Sequence, residues 1–352
     1  MRARIAACAA TCATVAATMG VAANAATGPP QPKGYGGAKA TLFATGLKNP
    51  TSFAWGDGAM FAGDAGNSST LPPNGGVDII KNGTSTTVPN GPLFVGGMAW
   101  HKGALYLSDA YLVGKTPVFK IEKWTGFTGS TFTTRTTLYK APAGFQGFNG
   151  IAFSGSGRLL VGVNAGLLNG NDHGPASTSP FLYDILSMNA NGKDVKVFAS
   201  GIRQPWQMAF VPGSRTPFVS DLGQDGPPSV LKLGPPDFVL RVKKGQNYGF
   251  PTCNHTSAGS CKGFAKPFRK FSPHTDIMGL AVMGHTLYMG SFLGKGAKDG
   301  GALYKMSIHG GAPLPVITGF PAATDALAQH GGALYVGGET KAKTGVVYKV
   351  TP

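Results

Sequence analysis

Acidic side chains are scarce in this chain: 15 Asp and Glu face 31 Lys and Arg, a net charge of +16 that falls to +14 once Arg2 and Arg4 are set aside. Such a field disfavours cationic partners and favours anionic surfaces, substrates or cofactors, an acidic cell-envelope surface being the plainest. Long basic runs are also missing. Lys and Arg are scattered singly and no nucleic-acid module appears, so nucleic acid is not an expected partner. Cysteine is limited to four residues, two of them Cys8 and Cys12, which excludes a disulfide-scaffold protein and a multi-cysteine zinc domain. Past residue 26, no apolar run reaches the ~20 residues that a membrane helix needs.

Glycine and proline, by contrast, are abundant at 54 and 26 residues, while the hydrophobic fraction holds at 42%. That combination argues against disorder and for many short strands joined by turns. Residues 1–26 stand apart. Arg2 and Arg4 precede an acid-free Ala/Val/Met-rich stretch ending in Ala23-Asn24-Ala25, the pattern of an export signal cleaved near Ala25. An uncleaved anchor or a transit-like peptide is the competing reading. Cleavage implies a secreted, periplasmic or envelope-associated protein and leaves Cys253 and Cys261 as its cysteines. An even pair in one loop of an exported protein reads as a disulfide. Metal binding is the alternative, for which only His255 is near.

One pattern recurs six times. An apolar residue followed by alanine appears at Phe53-Ala54, Met98-Ala99, Ile151-Ala152, Met208-Ala209, Leu280-Ala281 and Leu327-Ala328. A turn and a second short strand follow each pair (59–64, 104–109, 158–163, 217–221, 286–291, 333–338), then a third after a variable loop (77–80, 118–121, 183–186, 238–242, 302–306, 346–350). The pairs are spaced 45 to 72 residues apart, the ~40–50 of a propeller blade with insertions in some loops. A small twisted sheet cannot bury both faces alone, so stacking around an axis supplies the core and ring closure protects the edges. The expected fold is therefore all-β, a six-bladed β-propeller over residues 41–352, with 27–40 as a flexible lead-in. An array of β-sandwiches is the alternative.

Ligands of such a ring sit where equivalent loops converge. Lys48-Asn49-Pro50, Gln146, Arg203-Gln204-Pro205, His274-Thr275-Asp276 and Asp325 precede inner strands; Asp64, Asp109, Asn164, Asp221 and Glu339 follow second strands. Carboxylates and amides facing basic groups could hold a polar ligand or a cation. The plainer reading is that each such Asp caps a turn.

Several stretches resemble a known family: ASGIRQPWQMAF (199–210), VSDLGQ (219–224), GQNYGFP (245–251), PHTDIMGLAV (273–282) and FNGIAFSGSGRLLVGVNAG (148–166). Together they look like the glucose/sorbosone dehydrogenases, soluble quinoproteins with a six-bladed propeller. The specific motifs lie within about 145–282, and the blade pattern extends over most of 40–352. The resemblance implies oxidation of a sugar or polyol by pyrroloquinoline quinone (PQQ) held by calcium (Ca2+). It sets Arg203 against the quinone, a task that suits a permanently charged donor, with Gln204 beside it. It sets the turn Gly223-Gln224, with Asp221 as a weaker candidate, at the calcium, a hard cation that takes such oxygens.

The departures bear on chemistry. Where the family carries its catalytic histidine this chain has Gln146, and an amide cannot accept the hydroxyl proton that leaves as hydride moves. His274 and His173 are weak substitutes. The acidic pair before the NYG motif is reduced to Asp237-Phe238, which removes a carboxylate of the family's second calcium site. Two alternatives follow: a non-catalytic exported propeller that keeps sugar or cation affinity, and a calcium-dependent lactonase-type hydrolase.

Overall fold

The computed structural model describes residues 31–67, 70, 73–165, 180–223, 235–255, 261–292 and 300–352. The expected export signal, His173 and Gln224 lie outside the described residues.

Short β-branched and aromatic runs punctuated by tight turns produce hairpins throughout. At Asn82-Gly83 (φ 50° and 80°) and Gly331-Gly332 (57° and 76°) both turn residues are left-handed, the backbone that matches strand twist in a two-residue hairpin. The chain opens with β1 (Lys33–Gly34) and β2 (Lys39–Leu47). Blade 1 is β3 (Pro50–Gly56), β4 (Ala59–Asp64), β5 (Gly76–Lys81) and β6 (Thr84–Thr87). Blade 2 is β7 (Phe94–His101), β8 (Ala104–Val113), β9 (Thr116–Phe127) and β10 (Phe132–Lys140). Blade 3 is β11 (Phe148–Phe153), β12 (Leu159–Val163), β13 (Ile185–Met188) and β14 (Lys196–Ala199). Blade 4 is β15 (Pro205–Ala209), β16 (Phe218–Asp221), β17 (Phe238–Arg241) and β18 (Arg269–Lys270). Blade 5 is β19 (Ile277–Met283), β20 (Thr286–Ser291), β21 (Gly301–Ser307) and β22 (Gly310–Phe320). Blade 6 supplies β23 (Ala326–His330), β24 (Ala333–Glu339) and β25 (Gly345–Thr351).

All six expected units form in order. In blade 3 the third strand starts at Ile185 rather than at 183, because Phe181 and Tyr183 adopt φ of 62° and 66°, which no strand accommodates. The fourth strand of blade 6 comes from the other end of the chain. β2 pairs antiparallel with β25 from Lys39↔Thr351 to Leu47↔Gly345, and a single parallel bridge, Thr45↔Thr84, joins it to blade 1. Part of the expected flexible lead-in is thus pinned: β1 pairs with β22, Lys33 opposite Thr318, and the strand of blade 6 already begins at Lys39.

The core divides into six buried clusters, one per blade interface. The apolar residue of each recurring pair faces the preceding blade: Ile151 packs with Tyr106 of blade 2, and Phe53 with Tyr335 of blade 6. At the axis, the residues just before those pairs form one layer: Ser52, Gly97, Gly150, Gln207, Gly279 and Ala326. Five are small because the inner strands touch there. A Cβ on Gly150 would lie 2.3 Å from Trp206 O, and one on Gly97 2.6 Å from Gly150 Cα. Gln207 is the exception. Its Nε2 donates to Thr51 O (3.1 Å) in blade 1, and its Oε1 accepts from Leu280 N (2.8 Å) in blade 5. One amide thereby ties three blades and closes the axis.

Candidate functional site

The inner strands all begin at one rim of the ring, the upper face. Most carboxylates noted there serve the loops themselves. Asp64 accepts N–H bonds from Lys48 (2.8 Å), Asn49 (2.9 Å) and Gly66 (2.7 Å). Asp221 accepts from Gln204 N (2.8 Å), and Glu339 pairs with Lys343 at 3.1 Å. Asn164 donates to Asn149 Oδ1 at 2.8 Å. A carboxylate at the end of a second strand thus fixes the turn into its inner strand. Asp109 and Asp325 are buried among other acids. Burial first, then Glu122 for Asp109 and Glu339 and Asp276 for Asp325, holds both carboxyls well above the usual range.

Blade 4 brings Arg203, Gln204, Asp221 and Gly223 together. Arg203 is buried, and its Nη1 donates to Leu222 O (3.1 Å) and Gly223 O (2.5 Å). Asp237 secures that turn, accepting from Gly223 N (2.7 Å) through Oδ1 and from Asp276 N (2.8 Å) through Oδ2. Burial raises the Asp221 carboxyl to about 7; its bond from Gln204 and the charge of Arg203 oppose that rise. Asp237 is also raised by burial, against the pull of its two N–H bonds and of His274. His274 lies at the start of blade 5 with φ 58°. The NYG-F-P segment buttresses this arrangement: Tyr248 Oη donates to Arg241 O (2.8 Å), His255 Nε2 donates to Tyr248 O (2.8 Å), and Tyr183 packs edge-on to Phe250. Cys253 and Cys261 form the expected disulfide. Both sulfurs lie near the His255 ring, but a cystine has no thiolate to offer a metal.

The hollow beside Arg203, walled by Gly201, Asp221, Phe238, Tyr248 and His255, has a volume of about 20 Å³, room for about one water. The Leu222 and Gly223 carbonyls are oxygens of the kind a hard cation takes, and both already accept from the Arg203 guanidinium. Gln146 does not line that hollow. It leads into β11 in blade 3, half-buried, and its Nε2 donates to Gly144 O at 2.9 Å.

Sequence reasoning overlooked Gln207, although aligning the six pairs exposes it as the one large residue in a column of small ones. It also gave Asp237 only as a remnant of a metal site, whereas its two oxygens hold the turn that carries Gly223.

The buried acids give the fold a pH signature. Asp78 is pushed up to about 7, by burial and then by Asp64, and burial raises Asp184 to about 6. A carboxyl raised in the fold adds stability that is present below its unfolded value near 4 and lost as pH rises through about 7. His255, lowered by burial, works in the opposite sense. Tm is therefore expected to be higher near pH 5 than near pH 8 by about 3–6 °C. Thermal melts across that range check it, and Asp221→Asn should flatten the slope.

No family model matches the sequence, and no curated protein does. Solved structures do match. A putative oxidoreductase (glucose dehydrogenase) from Thermus thermophilus aligns at 18% identity over 89% of this chain and 100% of its own, with a TM-score of 0.68. The pyranose dehydrogenase PQQ domain of Coprinopsis cinerea aligns at 15% over 92% and 97%, TM-score 0.65. A gluconolactonase from Xanthomonas campestris aligns at 15% over 92% and 95%, TM-score 0.57. At these identities the likeness establishes the fold. No helix of the described residues is long and apolar enough to cross a membrane.

Proposed function

We propose that this chain is an exported propeller that binds a sugar or polyol at its upper face beside Arg203 and does not oxidise it. The carrying observation is Gln146. Hydride removal from an alcohol requires a base for the hydroxyl proton, and at the histidine position of the resembled family stands an amide bonded to its own loop through Gly144 O. Arg203 supplies fixed positive charge beneath that face, with its Nη1 bonded to the Leu222 and Gly223 carbonyls, and Asp237 and Asp221 hold the turns around it. The likeness to sugar dehydrogenases supports the ligand class.

Purified protein mixed with the quinone and calcium is expected to give no bound-quinone absorption band and no dye reduction with glucose, xylose or sorbitol. Isothermal titration with glucose, xylose or sorbitol alone should show binding that Arg203→Ala weakens about tenfold or more, a loss of ~1.4 kcal/mol. A quinone band with sugar-dependent dye reduction overturns this reading in favour of the dehydrogenase. Hydrolysis of gluconolactone without quinone overturns it in favour of the lactonase.

A further inference from the structure

At the opposite rim, where the inner strands end, the axis is open. Below the Gln207 layer the strands splay and enclose a cavity of about 350 Å³ bounded by inner strands of all six blades, within the usual range for a small-molecule site. It is a dead end, because the bonds of Gln207 to Thr51 O and Leu280 N close it above.

Three features of its wall specify an occupant. First, no charged side chain lines it, in a chain of strong positive charge. An ion would lose its hydration there without a counter-charge, which excludes charged ligands. Second, every inner strand is the edge of its sheet, so its free backbone N–H and C=O groups alternate along the wall. The ligand must therefore both donate and accept hydrogen bonds around its circumference. Third, the residues that follow three of the apolar-Ala pairs, Trp100, Phe153 and Phe210, all half-buried, line it from three consecutive blades. Trp100 is stacked on Phe61 and Phe153 on His101, and rings of this kind also pack against the C–H face of a saturated ring.

We infer that this lower axial cavity is a second binding site, for a neutral monosaccharide. A pyranose has hydroxyls in its equatorial belt for the strand edges and a C–H face for the aromatic rim, and it carries no charge. The site is independent of Arg203, which stands at the other rim.

The test uses the intact protein with D-glucose, read by the fluorescence of Trp100. A saturable change in the millimolar range is expected, absent in Trp100→Phe and unchanged in Arg203→Ala. D-glucuronate, the same ring with a carboxylate, should neither produce nor compete for it. Phe153→Ala, which removes a ring from the cavity lining, should weaken it about tenfold or more. No saturable change, equal response to glucuronate, or full binding by Phe153→Ala overturns the inference. If that variant does not fold, crystals of the unaltered protein grown with glucose decide: a sugar against Trp100 and Phe153 supports the site, and ordered water alone refutes it. Loss of all binding in Arg203→Ala, with no Trp100 response, would leave the upper-face reading standing and remove this one.

Discussion

Gly150→Ala is expected to destabilise the protein by more than about 4 kcal/mol, or to prevent folding, although it adds a single methyl group. The new Cβ would sit 2.3 Å from Trp206 O and 3.1 Å from Gln207 Cα. Both are backbone atoms of the neighbouring inner strand, so no side-chain rotation relieves the clash. Blades 3 and 4 would have to separate at the axis, and that shift would pull Gln207 away from Thr51 O and Leu280 N, stranding buried polar groups at about 1–3 kcal/mol each. Thr136→Ala, on an exposed position of outer strand β10, should change stability by no more than about 0.5 kcal/mol. Urea denaturation of the two variants measures the contrast. A Gly150→Ala protein melting like the parent would mean that the inner strands do not approach as closely as described.

The second large effect concerns β2. Ala44 is 1% exposed and sits in the cluster between blades 6 and 1, opposite Val347, whereas Leu42 two positions earlier is 57% exposed. Ala44→Asp buries a carboxylate with no partner and is expected to cost more than about 3 kcal/mol. Leu42→Asp should be close to neutral. Besides the lower Tm, Ala44→Asp should make residues 39–47 exchange amide protons rapidly and become cleavable by protease while the other blades stay protected. Equal protection of β2 in both variants would show that the strand does not close the ring.

The blade count, the order of strands and the disulfide were legible because each is a local pattern: a recurring apolar-Ala pair, alternating strands, and two cysteines in one loop. The closing strand was not. Residues 39–47 precede the first recurring pair and straddle the expected end of the lead-in at residue 40, and nothing local says that their partner is β25 at the far end of the chain. The start of β13 was misplaced because Phe181 and Tyr183 look like strand residues while tertiary packing against Phe250 holds Tyr183 in a left-handed conformation. At the upper face the sequence located Arg203, Asp221 and Gly223 together. It could not tell that the guanidinium bonds to the Leu222 and Gly223 carbonyls, because a backbone oxygen has no sequence signature.

The joining of β2 to β25 also sets the order of events in folding. Lys39 and Thr351 are register partners across almost the whole chain, and closing a loop of that length costs about 5 kcal/mol in chain entropy beyond a constant. Blades 1 to 5 are built from neighbouring segments and can assemble as they emerge, but the ring cannot shut until its final strand is available. Contacts of this range make for slow folding. While the last strand is pending, β2 has no antiparallel partner and blade 6 has no outer edge. A chain in that state is an open, unlocked arc.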